Sequence, residues 1–253
     1  MTAFDLQRIE CPNCGAGIDV SSATTGGRVG CSTCGSILDR AGLQKIGEVT
    51  AGNYDAVSNI EQGWTAHYGK NIWRVSGRVR YTYAGGYWDE WVMTANDGQV
   101  AYLEECEGEF RWFTAWTPKA APTRQELETA QSYLHIDGLR WVIRERLMAT
   151  LAYFEGELPW RATTGQTVWS LDIKSPVEPG AIEWTKRELE FYKAKNRNVA
   201  QLQRMFRDHQ FDPGYTAGYD NDYEEYDFTS NTQGLHQIAK VAWPALIISF
   251  LVF

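Results

Sequence analysis

Two short motifs constrain this chain more than any other feature: Cys11-Pro-Asn-Cys14-Gly15 and Cys31-Ser-Thr-Cys34-Gly35. Two residues separate the cysteines within each pair, and sixteen separate the pairs. A turn that tight delivers two sulfurs to one metal, and the following glycine lets the backbone fold back so that amides face sulfur. Two such knuckles complete a tetrahedron with Zn–S bonds of about 2.3 Å. The spacing therefore predicts a structural zinc site with Cys11, Cys14, Cys31 and Cys34 as ligands. Four thiolates leave no coordination position for water, so the zinc is structural rather than catalytic. The competing reading is two redox-active pairs or free thiols. A segment of about forty residues has too small a core to fold alone, so metal binding supplies much of its folding energy. Residues 1–42 are read as a zinc ribbon, with Ile18, Val20 and Val29 in short strands between the knuckles. Arg8, Arg28, Arg40 and Lys45 are offset by Asp5, Glu10, Asp19, Asp39 and Glu48. Without a basic surplus, a stabilising or protein-binding role is favoured over nucleic acid.

The pattern changes after Gly42. Lys45–Val49 alternates briefly, and Ile72–Tyr83 alternates over a long stretch, with Ile72, Arg74, Ser76 and Arg78 against Trp73, Val75, Gly77 and Val79. Ala84-Gly85-Gly86 and Asn96-Asp97-Gly98 supply hairpin turns, because glycine tolerates positive φ. Strands are expected over 87–94, 100–104, 109–115 and 166–173. Thr123 with Glu126 forms a capping box that opens a short helix. Residues 136–155 read as strand, although 144–149 also fit a helix. Glu183–Arg207 is expected to be a helix, with Leu189, Tyr192, Val199, Leu202 and Phe206 toward one face. The expected fold class is mainly β with a few helices (α+β): a ribbon, then an antiparallel meander or small barrel over 43–208, then a C-terminal helix. Glu107-Gly-Glu-Phe-Arg-Trp112 and Glu155-Gly-Glu-Leu-Pro-Trp160 echo one another, as coincidence or as a corner used twice.

Trp73-Arg-Val-Ser-Gly-Arg-Val, Tyr87-Trp-Asp-Glu-Trp-Val-Met, Gly98-Gln-Val-Ala-Tyr-Leu and Tyr153-Phe-Glu-Gly-Glu-Leu-Pro-Trp160 resemble the bacterial domain-of-unknown-function family 4178, over roughly residues 45 to 205. The resemblance implies a mostly β domain, a membrane-linked setting beside small membrane proteins and aminopropyltransferase-like enzymes, and no enzymatic residues to carry over.

The search for catalytic motifs points away from an enzyme. Gly63–Lys70 has one residue too many for a phosphate loop and is followed by Asn71. There is no Gly-x-Ser-x-Gly elbow and no His-Glu-x-x-His pair. His67, His135, His209 and His236 are scattered, and Cys106 reads as a small core residue. Two binding surfaces stay open: an aromatic one around Trp88 and Trp91, and a carboxylate-lined β cleft using Glu109 and Glu157. The second would suit a small-molecule binder or a hydrolase-like enzyme.

The formal net charge of −8 disfavours general nucleic-acid binding. Only the basic stretch 186–207 could support it. Residues 209–240 read as an acidic, tyrosine-rich linker. Val241–Phe253 is uncharged but shorter than the ~20 residues of a membrane span. It is read as the start of a membrane helix, with an interfacial segment or a terminal core element as alternatives. The absence of an N-terminal apolar run and the paired thiols point to a reducing cytoplasm. The combined expectation is a non-enzymatic, zinc-stabilised module at the cytoplasmic face of a membrane, with membrane-associated protein partners.

Overall fold

Alternating sequence, glycine turns and a heavy aromatic load yield fifteen strands and two short helices in the computed structural model, which describes residues 4–22, 27–48 and 58–212. The ribbon contributes β1 (Leu6–Glu10), β2 (Gly17–Ser21), β3 (Arg28–Gly30), β4 (Ser36–Asp39) and β5 (Lys45–Glu48). The body contributes β6 (Thr65–Tyr68), β7 (Asn71–Tyr83), β8 (Gly86–Ala95), β9 (Val100–Cys106), β10 (Glu109–Ala115), α1 (Arg124–Thr129) and β11 (Tyr133–Ile136). It continues with β12 (Leu139–Leu158), β13 (Thr167–Lys174), β14 (Pro179–Trp184), β15 (Leu189–Arg197) and α2 (Val199–Met205).

Hydrogen-bonded neighbours run β7–β8–β9–β10–β15–β14–β13–β12, and β12 pairs back to β7. Eight antiparallel strands thus close into a barrel, which removes the edges an open sheet would expose. Closure depends on β12, whose 20 residues serve four partners. Its first half pairs with β11 and β13, and its second with β7 and then β3. Glycines make the last step feasible. Gly156 has φ +72°, and a Cβ there would stand 2.4 Å from the Ser76 carbonyl oxygen. A Cβ on Gly30 would lie 2.6 Å from the Phe154 carbonyl oxygen. Three backbones approach closely only where side chains are missing.

The barrel has packed material inside and out. On one outer face α2 lays Leu202, Met205 and Phe206 over Trp73, Trp91, Met93 and Trp112. On the opposite set of strands, Leu127 of α1 and Leu134 and Ile136 of β11 cover Trp141, Ile182 and Phe191. The lumen receives Val79, Tyr81, Trp88, Val92, Ala149, Leu151 and Phe154. The capping box at α1 forms as the sequence indicates: Thr123 accepts from the Glu126 N–H, and Glu126 accepts from the Thr123 N–H at 2.7 Å.

Three expectations need correction. Residues 183–198 are not helical. Glu183 and Trp184 end β14, Thr185 organises a turn by accepting from the Arg187 and Glu188 N–H groups, and 189–197 pair with both β14 and β10. Only 199–205 form helix, capped by Asn198 and Gln201. Sheet pairing overrides a local helical pattern here. The helical option for 144–149 also fails, since these residues pair with β13. Finally, the alternation in β7 is not continuous. An irregularity between Val75 and Gly77 shifts its phase, so Trp73 and Val75 pack outside whereas Val79 and Tyr81 face the lumen.

Candidate metal centre and barrel lumen

The two knuckles are built alike. In the first, the Gly15 N–H donates to the Cys11 carbonyl at 2.8 Å, and the Cys11 N–H donates to the Ala16 carbonyl at 2.8 Å. In the second, the Gly35 N–H donates to the Cys31 carbonyl at 2.8 Å, and the Cys31 N–H donates to the Ser36 carbonyl at 2.9 Å. Gly15 and Gly35 have φ of +76° and +70°, the left-handed conformation each turn requires. Both knuckles point their sulfurs inward. Cys11 Sγ lies 3.7 Å from Cys34 Sγ, Cys14 Sγ lies 3.8 Å from Cys31 Sγ, and all four sulfurs fall within 4.8 Å of one another.

A regular tetrahedron with 2.3 Å metal–sulfur bonds has edges of about 3.8 Å. The sulfur spacing therefore fits one tetrahedral metal ion, and no disulfide joins the cysteines. The surroundings divide the thiols. Burial pushes Cys31 up to about 12, whereas Ser36 and Asn13 beside its sulfur draw Cys34 down to about 6. A bound metal would require all four as thiolates.

The ribbon is fastened to the barrel at the end of β12. Glu157 accepts from the Ser21 N–H at 2.7 Å and lies 3.6 Å from Arg40 Nε, while Arg40 donates to the Ser21 carbonyl at 3.1 Å. Arg74 of the barrel donates to the Asp19 carbonyl at 3.3 Å. Ile37 from β4 packs into the lumen cluster beside Val79 and Leu158. Glu157 is only 2% exposed and acts as a structural anchor.

The lumen holds an unusual density of acid. At one end, Arg111 bonds Glu104 through two nitrogens at 2.7 and 2.9 Å and also reaches Asp172. Together with Glu145, Cys106 and Tyr83 these groups surround a small space of about 60 Å³. At the other end lies a cavity of about 250 Å³, walled by Tyr81, Tyr102, Tyr192, Trp160, Glu90, Glu183 and Glu190 among others, with no lysine or arginine in its lining. Trp88 donates to Glu90 at 3.0 Å and Tyr192 donates to Glu190 at 2.7 Å. Burial pushes Glu90 up to about 8, opposed by the Trp88 bond. Burial, followed by Glu90 and Glu190 nearby, holds Glu183 well above the carboxylate range.

The expected binding residues are distributed differently from the sequence reading. Trp88 is 5% exposed and stacks on Tyr81 inside the barrel, and Trp91 is 1% exposed in the outer core, so neither offers an exposed aromatic surface. Alternation along β8 sends one to each side of the sheet. Glu109 lies exposed at the start of β10, and Glu157 is buried at the ribbon junction on β12. The two strands are not neighbours, so they form no shared cleft. The Glu-Gly-Glu echo is no repeated corner: Glu107-Gly108 is the β9–β10 hairpin turn, and Gly156 lies inside β12. His67 bonds Asp208 at 2.7 Å, and His209 accepts from the Thr65 N–H while stacking on Trp64, so both tie the end of α2 to β6. The basic residues of 186–207 are spread over a turn, a strand and a helix. Glu183, Glu190, Glu104, Asp172 and Arg111 were not singled out from sequence. Reading β15 as helix hid the alternation that would have aimed Glu190 and Tyr192 at one face.

Fold and site together define a closed antiparallel β-barrel carrying a ribbon whose four cysteines converge as a metal site would require. The chain belongs to the domain-of-unknown-function family DUF4178, whose model matches residues 61–198. That stretch contains every strand of the closed barrel and excludes the ribbon. No curated protein and no solved structure matches the chain. Among the described residues, no helix is long and apolar enough to cross a membrane. Residues 213–253, which include most of the acidic stretch and all of Val241–Phe253, lie outside the described residues.

Proposed function

We propose that this chain is a non-catalytic binding module: a zinc-clamped ribbon attached to a β-barrel whose lumen is a small-molecule compartment. The observation that carries this reading is the cavity of about 250 Å³, lined by carboxylates and aromatic rings from five of the eight barrel strands. Concave, largely aromatic space with a few polar groups is the usual form of a ligand site, and barrel mouths are a common place for it. Zinc is favoured at the ribbon because four convergent thiolates at tetrahedral spacing suit it. The non-catalytic reading is supported by Cys106. Burial holds its thiol up to about 12, where it is a weak nucleophile.

Thermal-shift measurement against a panel of small organic molecules, balanced between cationic, neutral and anionic members, tests the compartment. Some members should raise the melting temperature of the wild type but not of a lumen-filled Val168→Trp variant. A panel with no binder of any charge removes the reading. Elemental analysis of reduced protein should find one zinc per chain, absent in Cys31→Ser.

A compatible second reading places this module at the cytoplasmic face of a membrane, among protein partners. The uncharged sequence of Val241–Phe253 supports it. Liposome flotation should then require residues 241–253, and flotation unchanged by their deletion counts against it.

A further inference from the structure

We infer that the larger lumen cavity is a site for an organic cation, an ammonium group carried on an apolar body. The inference rests on reading the lumen as a ligand compartment and adds the chemistry of what it holds.

Strand register supplies the first argument. Glu183 on β14 lies directly opposite Glu190 on β15. Like charges in directly opposed positions destabilise a sheet. At the other end of the lumen Glu104 faces a similar conflict, since it stands opposite Glu90, but its second neighbour is Arg111. The protein resolves the acid cluster at one end with its own guanidinium and places no cation in the lining of the other.

Glu183 supplies the second argument. It is half-buried, lines the cavity, and has neither hydrogen-bond donor nor ion-pair partner among the described residues. A half-buried carboxylate with no donor of its own can accept one from a ligand in the cavity, which would supply what it lacks.

Geometry selects the kind of cation. No three carboxylates bring ligand atoms together closely enough to hold one metal ion; among the described residues only the cysteine cluster does. The acids are instead set apart on a wall of aromatic rings. Tyr102 packs edge-on against Tyr192 at 5.5 Å and against Trp160 at 5.9 Å between ring centres. Aromatic faces attract ammonium groups and accommodate the alkyl or aryl body behind them. A metal ion would still lack the set of close oxygen ligands it needs.

Isothermal titration of the metal-loaded full-length protein at about pH 8.5, above the value of about 8 to which Glu90 is raised, separates the alternatives. The probes are hexylammonium, 1-hexanol, hexanoate and calcium chloride. Hexylammonium should bind once per chain and at least about tenfold more tightly than 1-hexanol, the increment expected of one charge-assisted bond. Glu183→Gln should remove that preference while leaving the circular dichroism spectrum and bound metal unchanged. Glu190→Gln, at a more exposed position, should weaken it in the same direction and serves if Glu183→Gln misfolds. Equal or tighter binding of 1-hexanol or hexanoate overturns the cation assignment but leaves the lumen a ligand compartment. Calcium binding that Glu183→Gln abolishes replaces it with a metal site. Absence of heat with hexylammonium at millimolar concentration also overturns it, and the compartment then stands or falls on the charge-balanced panel.

Discussion

The ribbon and the barrel lumen both gather groups that repel one another when ionised, and they resolve the conflict by different means. In the ribbon, four sulfurs within 4.8 Å form a complete set for one external ion, and two local turns make that set. In the lumen, six strands spread between β8 and β15 aim their acids into one space. One end carries its own counter-ion, Arg111, and the other carries none. The difference shows what each site asks of the fold. A metal knuckle needs only short-range backbone geometry, whereas an acid cluster inside a barrel can form only after closure has already stabilised the walls.

The contrast can be broken most decisively at the metal. Removing the proposed zinc by chelation or Cys31→Ser should expose the amides of β1 to β5 to hydrogen exchange, since structural zinc contributes roughly 10 kcal/mol or more to folding such pieces. The barrel strands β8, β9, β14 and β15 should stay protected. Loss of protection throughout would show that ribbon and barrel fold as one unit.

Arg111→Met should have the next largest effect, because it leaves Glu104 and Asp172 without their shared partner in the lumen. Denaturant unfolding should show a loss of about 3–5 kcal/mol. Adding Glu104→Gln should restore part of it, and an additive double variant would deny that the three groups act together.

Opposite pH responses sharpen the comparison further. Glu90, raised to about 8, and Glu183, raised as well, hold protons in the folded barrel that the unfolded chain releases near the ordinary glutamate value. Folded-state proton uptake in that window makes the barrel more stable at its acidic side, and stability should fall as pH rises from about 5 to about 8, by roughly 3 kcal/mol or more. The groups facing these two carboxylates are Trp88, Tyr81, Tyr102, Tyr192, Glu104, Glu190 and, further off, Arg111. Metal affinity of the thiolates should move the other way and strengthen as pH rises. Region-resolved hydrogen exchange at several pH values would read both trends, and a shared trend would contradict the assignment.

The smallest effect is expected from Glu183→Gln without ligand. At about pH 5, where the folded barrel holds this carboxyl protonated opposite Glu190, the neutral amide should change stability by about 1 kcal/mol or less. Greater destabilisation would mean that Glu183 has a structural partner after all.

Local chemistry in the sequence was enough to specify the knuckles, the β7–β8 and β8–β9 turns and the capping box at Thr123, because each is fixed by a few adjacent residues and their allowed φ, ψ angles. It also suggested a mostly β body, through alternation and glycine spacing. Closure of the barrel, the doubling of β12 as partner to both β7 and β3, and the strand identity of 189–197 were decided only in three dimensions. Leu189 and Tyr192 satisfy a helical spacing and a strand equally well over so short a stretch, and pairing with β10 and β14 settles the choice. The same is true of the lumen. A glutamate in sequence is a solvated charge until neighbouring strands enclose it, so which acids are paired, which oppose one another and which stand without a partner are properties of register and closure rather than of the chain's letters.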